Sequence, residues 1–197
     1  SRLAAMRGHT VTLVEEKGHV GGVLRLAARV PGRGEIMDII NFLNLEIEHL
    51  GIALRLNTPL DDVLLDELNP DVVILASGSL PDMPIVKGLF TTGMDLCTVT
   101  EVLDGKITGD RVIILGGGQA GLVTADFLAD KGREVVVLNR KRHFADEMSS
   151  NDRFYLRERL NEAGVRLFKQ VSVKTFTGDG VHFTTAGKPE TLDAFDT

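Results

Sequence analysis

Residues Gly116-Gly117-Gly118-Gln119-Ala120-Gly121 spell G-x-G-x-x-G between the apolar run Val112 to Leu115 and a helix-like segment, Gln119 to Lys131. The strand–turn–helix setting gives this spacing its chemical meaning. Gly116 permits a tight turn, Gly118 lets backbone approach a pyrophosphate, and Gly121 lets helix and strand pack closely. An anion seated there meets unpaired N–H groups and the positive end of a helix dipole. Gln119 and Ala120 join the three glycines as candidate cofactor contacts. The bland alternative is a tight turn that binds nothing; the flanking strand and helix favour dinucleotide binding.

The end of the next strand, Glu134 to Leu138, should identify the nucleotide. An acid there accepts hydrogen bonds from an NAD ribose, whereas Arg suits a 2′-phosphate. This strand runs into Asn139-Arg140-Lys141-Arg142, with no carboxylate and three cations. A guanidinium fork suits phosphate, so Asn139, Arg140 and Arg142 point to NADP(H) over NAD(H). The competing reading of such a run is a solvated basic loop. Earlier in the chain, Glu15 closes the strand Thr10 to Val14, the place of a ribose-binding acid in the same motif. Alone, it is only an exposed strand-end carboxylate.

The remaining polar residues show no catalytic constellation, and no catalytic acid or base is assigned. His9, His19, His49, His143 and His182 are scattered without the spacing of a metal site. Cys97 has no partner, which excludes an internal disulfide and a redox dithiol. Asp61, Asp62 and Asp126 read as solvated helix charges. The formal net charge of -6 argues against nucleic acid as a partner. The longest apolar runs fall far short of the roughly 18–20 residues that span a bilayer. No membrane partner is expected, and the single cysteine points weakly to the cytoplasm.

The elements that would hold these residues alternate strand and helix. Strands are expected at Thr10 to Val14 (buried), Ile52 to Leu56, Val72 to Ala76, Arg111 to Leu115, Glu134 to Leu138, Val165 to Phe168 and Val181 to Thr184. Helices are expected at Glu35 to Leu50, where apolar residues recur at helical spacing, and at Asp61 to Leu68, Gln119 to Lys131 and Asn151 to Ala163. Gly18 to Gly32 reads as a long loop-like connection, and Ser77 to Gly88 as a domain crossover. This pattern predicts an α/β fold: two Rossmann-like, doubly wound parallel-sheet domains, 1–107 for FAD and 108–197 for NAD(P). The first would lack its opening strand and glycine loop, because Ser1 leads straight into a helix. Leu192 to Thr197 stops where another strand should start.

Glu15, Gly21-Gly22, Leu24, Pro31-Gly32-Arg33, the strand and loop Asp71 to Ser79 with Pro81 and Pro84, and Thr100-Glu101-Val102-Leu103 occur in a telling order. In that order the chain resembles the FAD/NAD(P)-binding region of the old yellow enzyme-like NADH:flavin oxidoreductases, the group of 2,4-dienoyl-CoA reductase and trimethylamine dehydrogenase. The resemblance covers nearly the whole chain. It implies that Glu15 holds the FAD adenosine ribose and that Gly22 and Val23 approach the flavin nucleotide. Arg33 would meet its ribose or phosphates, and the backbone at Gly78 would pass close to it. Val23 departs from the polar residue usual at that point, and Ser77 replaces a Thr. The implied reaction is hydride transfer from NAD(P)H to FAD. Electrons would then feed an N-terminal barrel of the same protein, carrying FMN and an iron–sulfur cluster, that reduces an unsaturated substrate or oxidises an amine. A glutamate synthase small-subunit-like electron-transfer module and a non-catalytic nucleotide-binding module are the alternatives.

Overall fold

The computed structural model describes residues 1–193 and 195–197. The chain forms two compact units, one of residues 1–28 and 33–80, the other of residues 29–32 and 81–197. They change over inside the Ser77 to Gly88 loop.

The first unit runs α1 (Arg2–Met6), β1 (Thr12–Val14), α2 (Gly22–Ala27), α3 (Ile36–His49), β2 (Ala53–Arg55) and α4 (Asp62–Leu68). β1 and β2 pair in parallel, with Thr12 opposite Ala53 and Val14 opposite Arg55. The helical spacing of α3 turns Ile40 and Ile47 inward, where Leu26 of α2, Ile52 and Leu64 of α4 are also buried. Arg2 reaches across to Glu46 of α3 at 2.6 Å. Asp61 caps α4, its carboxylate accepting the Leu64 N–H at 2.8 Å, which stabilises a helix start by about 1 kcal/mol.

Three expectations for this unit are corrected. The loop-like stretch from Gly18 to Gly32 contains the six-residue α2, too short to declare itself by periodicity; burial of Leu26 holds it. β1 is only half covered, with Thr12 exposed, because among the described residues its one strand partner is β2. Val72 to Ala76 is not a strand. Val72, Ile74 and Leu75 are 76%, 79% and 77% exposed. A β-branched run adopts a strand only when a neighbour satisfies its backbone, and no described strand lies beside this one.

The second unit contains α5 (Val99–Asp104), β3 (Arg111–Leu115), α6 (Gln119–Asp130), β4 (Glu134–Leu138), α7 (Ser150–Glu162), β5 (Arg166–Phe168), β6 (Val171–Thr177), β7 (Gly180–Thr185) and β8 (Lys188–Asp193). β3, β4 and β5 form a parallel sheet with β4 in the middle. β6 to β8 form an antiparallel meander. Alternation along β4 sends Val136 and Leu138 into a shared core with Val171, Phe176, Val181, Phe183, Leu192 and Phe195. Val135 and Val137 therefore face the other way, toward α6, and β4 is sealed on both sides with Val136 and Val137 at 0% exposure. The chain end returns to β3, where Ile113 N–H donates to the Thr197 carbonyl at 2.9 Å and Asp196 N–H to that of Arg111 at 2.9 Å.

Helix α6 is covered from Gly121 to Leu128 without a break. Asp126, expected as a solvated charge, is instead 5% exposed. It lies 3.1 Å from the Arg159 guanidinium of α7. The burial follows from α6 packing against β3, β4, α5 and α7 together. Ser149 is the residue that caps α7, accepting the Asp152 N–H at 3.2 Å.

Candidate functional site: the glycine turn after β3

Gly116 adopts φ +115°, a left-handed conformation that favours glycine. Its N–H donates to the Leu138 carbonyl at 3.0 Å, so the turn begins while still bonded to β4. Gly118 is the N-cap of α6, leaving the first amides of that helix without intrahelical partners. A Cβ on Gly121 would stand 2.0 Å from the Gly116 carbonyl oxygen. Only hydrogen fits there, as the packing role of the third glycine requires.

The middle position is as tightly specified. Gly117 is buried, and a Cβ on it would lie 2.5 Å from Phe144 Cδ1 and 2.8 Å from Asn139 Cβ. The loop after β4 folds down onto the turn: Phe144, Ala145 and Met148 are buried, and Ala145 N–H donates to the Gly117 carbonyl at 2.8 Å. Asn139 fastens the two loops together. Its Oδ1 accepts the Gly117 N–H at 3.3 Å, while its Nδ2 donates to the carbonyls of Lys141 at 3.1 Å and His143 at 2.8 Å. At 4% exposure, this side chain holds the loop from inside. Arg140 and Arg142 stand at the surface.

Glu147 was not singled out from sequence. Its carboxylate accepts the Gln119 N–H at the start of α6 and would stand 2.9 Å from a Cβ on Gly118. Hydrogen bonding from the Gln119 amide, chiefly, holds its carboxyl below the ordinary range. The helix N-terminus thus already carries an anion supplied by the chain itself. Nothing in the spacing of an Asp146-Glu147 pair in a loop signals that role.

The residues implied for flavin lie in the first unit, apart from this turn. Glu15 is half-buried at the end of β1 and accepts the Lys17 N–H at 3.0 Å. Its backbone bonds to Arg55 and Thr58 continue the β1–β2 pairing. Gly22, at φ +45°, opens α2 behind Gly21 at φ +108°. Val23 is 70% exposed. Arg33 is half-buried, and Gly78 lies in the exposed 71–80 segment. No hydrogen bond or ion pair among the described residues joins Glu15, Arg33 and Gly78 to one another.

Residues 1–196 match the family described as Pyridine nucleotide-disulphide oxidoreductase. The chain belongs to that family. It is 34% identical to the NADH oxidase of Thermoanaerobacter brockii over 165 residues, covering 82% of this chain and 25% of that protein. A 2-naphthoyl-CoA reductase structure superposes with a TM-score of 0.91 at 31% identity, covering 98% of this chain and 29% of the other. The structure of histamine dehydrogenase from Rhizobium sp. 4-9, at 17% identity and a TM-score of 0.79 over 98% of this chain and 32% of that one, shares the fold. The chain thus spans roughly a quarter to a third of the length of the proteins it matches.

Within the family, these relatives place the chain in the NADH:flavin oxidoreductase group that its motifs resemble, and it is an oxidoreductase of the FAD/NAD(P)-dependent type. The family's nucleotides fit the glycine turn on observations of this structure. There is room at Gly118 for a pyrophosphate in place of the Glu147 carboxylate, and Gln119 offers it an amide. Among the described residues no group of three or more His, Cys, Asp and Glu could hold a metal ion, and no helix is long and apolar enough to cross a membrane.

Proposed function

We propose that the chain is the electron-entry part of a longer flavoprotein, taking hydride from NAD(P)H, with NADPH preferred, and passing it to FAD. The observation carrying this reading is the turn at Gly116 to Gly121, with a left-handed first glycine, an N-cap at Gly118 and no space for a side chain at Gly121. In this reading the pyrophosphate of the nicotinamide nucleotide displaces Glu147 and takes the Gln119 amide. Arg140 and Arg142 then stand beside the adenosine ribose, at the end of β4 where the motif places it.

Bound nicotinamide and flavin supply the redox chemistry themselves. The chain's part is to bind and orient them, and proximity alone can lower a barrier by several kcal/mol without a titrating side chain. Glu15, Gly22, Val23, Arg33 and Gly78 are the proposed flavin contacts. The electrons would go on to an N-terminal barrel holding FMN and an iron–sulfur cluster, with an unsaturated or amine substrate. The names of the relatives support that class: a 2-naphthoyl-CoA reductase among the structures and an N,N-dimethylglycine/sarcosine dehydrogenase among the sequences.

The test is calorimetric titration of the chain with NADPH and NADH, followed by addition of NADPH anaerobically in the presence of FAD. Tighter NADPH binding and bleaching of flavin absorbance are expected. Binding without bleaching would instead support a nucleotide-binding module without turnover. Failure of both nucleotides to bind would refute the reading.

A further inference from the structure

Beside the glycine turn lies a cavity of about 170 Å³ lined by Arg142, His143, Phe144, Arg153, Arg157 and Lys169. Three separate elements contribute its cations: the loop after β4, helix α7, and the residue that follows β5. Arg153 and Arg157 are four apart on α7 and so share a helix face. No carboxylate is among the lining residues. Asp146, 3.6 Å from Arg153, is the one acid paired with any of them, and Arg142, Arg157 and Lys169 have no ion-pair partner among the described residues. Four formal positive charges around one concavity are costly to the fold unless an anion offsets them.

The cavity is joined to the nucleotide site. Asn139 holds the His143 carbonyl at 2.8 Å and the Gly117 N–H at 3.3 Å, and Phe144, one wall of the cavity, packs against Gly117. A dinucleotide whose pyrophosphate sits at Gly118 turns its adenosine ribose toward the end of β4, which is the side this cavity opens from. We infer that the cavity is a phosphate-monoester site, filled by the 2′-phosphate of NADP(H), with Arg153, Arg157 and Lys169 acting together with Arg142. The inference rests on the nucleotide reading above and extends it to three residues outside the glycine motif and the strand end. Guanidinium forks and an ammonium supply the charge-assisted bonds that a dianionic phosphate needs.

The test compares the chain with its Arg157→Gln/Lys169→Gln variant, using NADPH, NADH, adenosine 2′,5′-bisphosphate, AMP and inorganic phosphate as probes. NADPH and the bisphosphate should each lose on the order of tenfold or more in affinity, while NADH and AMP keep theirs. Arg157→Lys, which retains the charge, should keep most NADPH affinity, and circular dichroism checks that both variants fold. Equal losses for NADPH and NADH, or no loss for either, would overturn the assignment. If the unaltered chain binds neither nucleotide, the nucleotide reading fails separately, and phosphorus NMR of inorganic phosphate decides the cavity. Phosphate binding abolished by the double substitution would then support a monoester from another source. No phosphate binding would overturn the site.

Discussion

Replacing Glu147 with Gln should move stability and nucleotide affinity in opposite directions. In the chain alone, the Glu147 carboxylate takes the Gln119 N–H at the start of α6, and an exposed anion at a helix N-terminus stabilises by about 0.3–1 kcal/mol. Gln keeps the shape and an acceptor oxygen but loses the charge. The variant should therefore melt at a slightly lower temperature. A nucleotide pyrophosphate must evict the carboxylate and then sit near it. Two like charges about 4 Å apart repel by roughly 1 kcal/mol in bulk water and more near a protein surface. At this open site the lower value applies. Adding the lost cap gives about 1–2 kcal/mol, or on the order of 5- to 30-fold tighter binding of both NADPH and NADH. Calorimetry with each nucleotide, with thermal melts in its absence, reads both effects. The pH dependence has a fixed sign. The folded-state carboxyl is held below its ordinary value of 4.5, so the cap's contribution is present above that value and fades as pH falls through the lowered one. That loss should be seen in the unaltered chain and vanish in the variant. Weaker or unchanged nucleotide binding in Glu147→Gln would refute the reasoning.

Gly121→Ala places a methyl 2.0 Å from the Gly116 carbonyl, so β3 and α6 must part; a loss of about 1–3 kcal/mol is expected, and an unchanged melting temperature would contradict the packing. Asn139→Asp should not create NADH preference, because the side chain is engaged with Lys141 and His143 carbonyls that an ionised acid cannot donate to. Thermal denaturation should show a cost of about 1–3 kcal/mol, and a stable, NADH-selective variant would disprove the bracing role. Arg159→Met removes a cation 3.1 Å from the buried Asp126; since Arg159 itself is 44% exposed, a modest cost of about 1–2 kcal/mol is expected after solvent screening, measurable by urea unfolding.

What the sequence disclosed depended on how local the cause was. β3, the turn, α6 and β4 could be read almost to the residue, because glycine stereochemistry and apolar runs act over a few positions. β6 and β8 escaped notice. A register shift between Val173 and Thr175 breaks the alternation of β6, and β8 is an edge strand with Pro189 in it and Leu192 as its one buried apolar residue, where proline's missing N–H is tolerated. The Val72 to Leu75 run fails in the opposite sense. Its residues favour a strand, but pairing is a property of two segments and the second is not among the described residues. At the site, the glycine pattern showed where an anion could bind. Asn139 was picked out for its position at the strand end, yet its buried geometry gives it bracing bonds. Glu147 and the α7 cations come from other elements, and only folding brings them to the turn.

The sealing of β4 reaches beyond packing. Its amide hydrogens, covered by α6 on one side and the meander on the other, should be among the slowest in the chain to exchange with solvent, since they open only with the unit as a whole. The glycine turn is bonded to that strand through Gly116 and Leu138, and Asn139 continues it directly. The turn is thus held in its binding shape before any ligand arrives. Little conformational entropy is left to lose when a nucleotide binds, and the motion accompanying binding is confined to the Glu147 side chain and the surface cations.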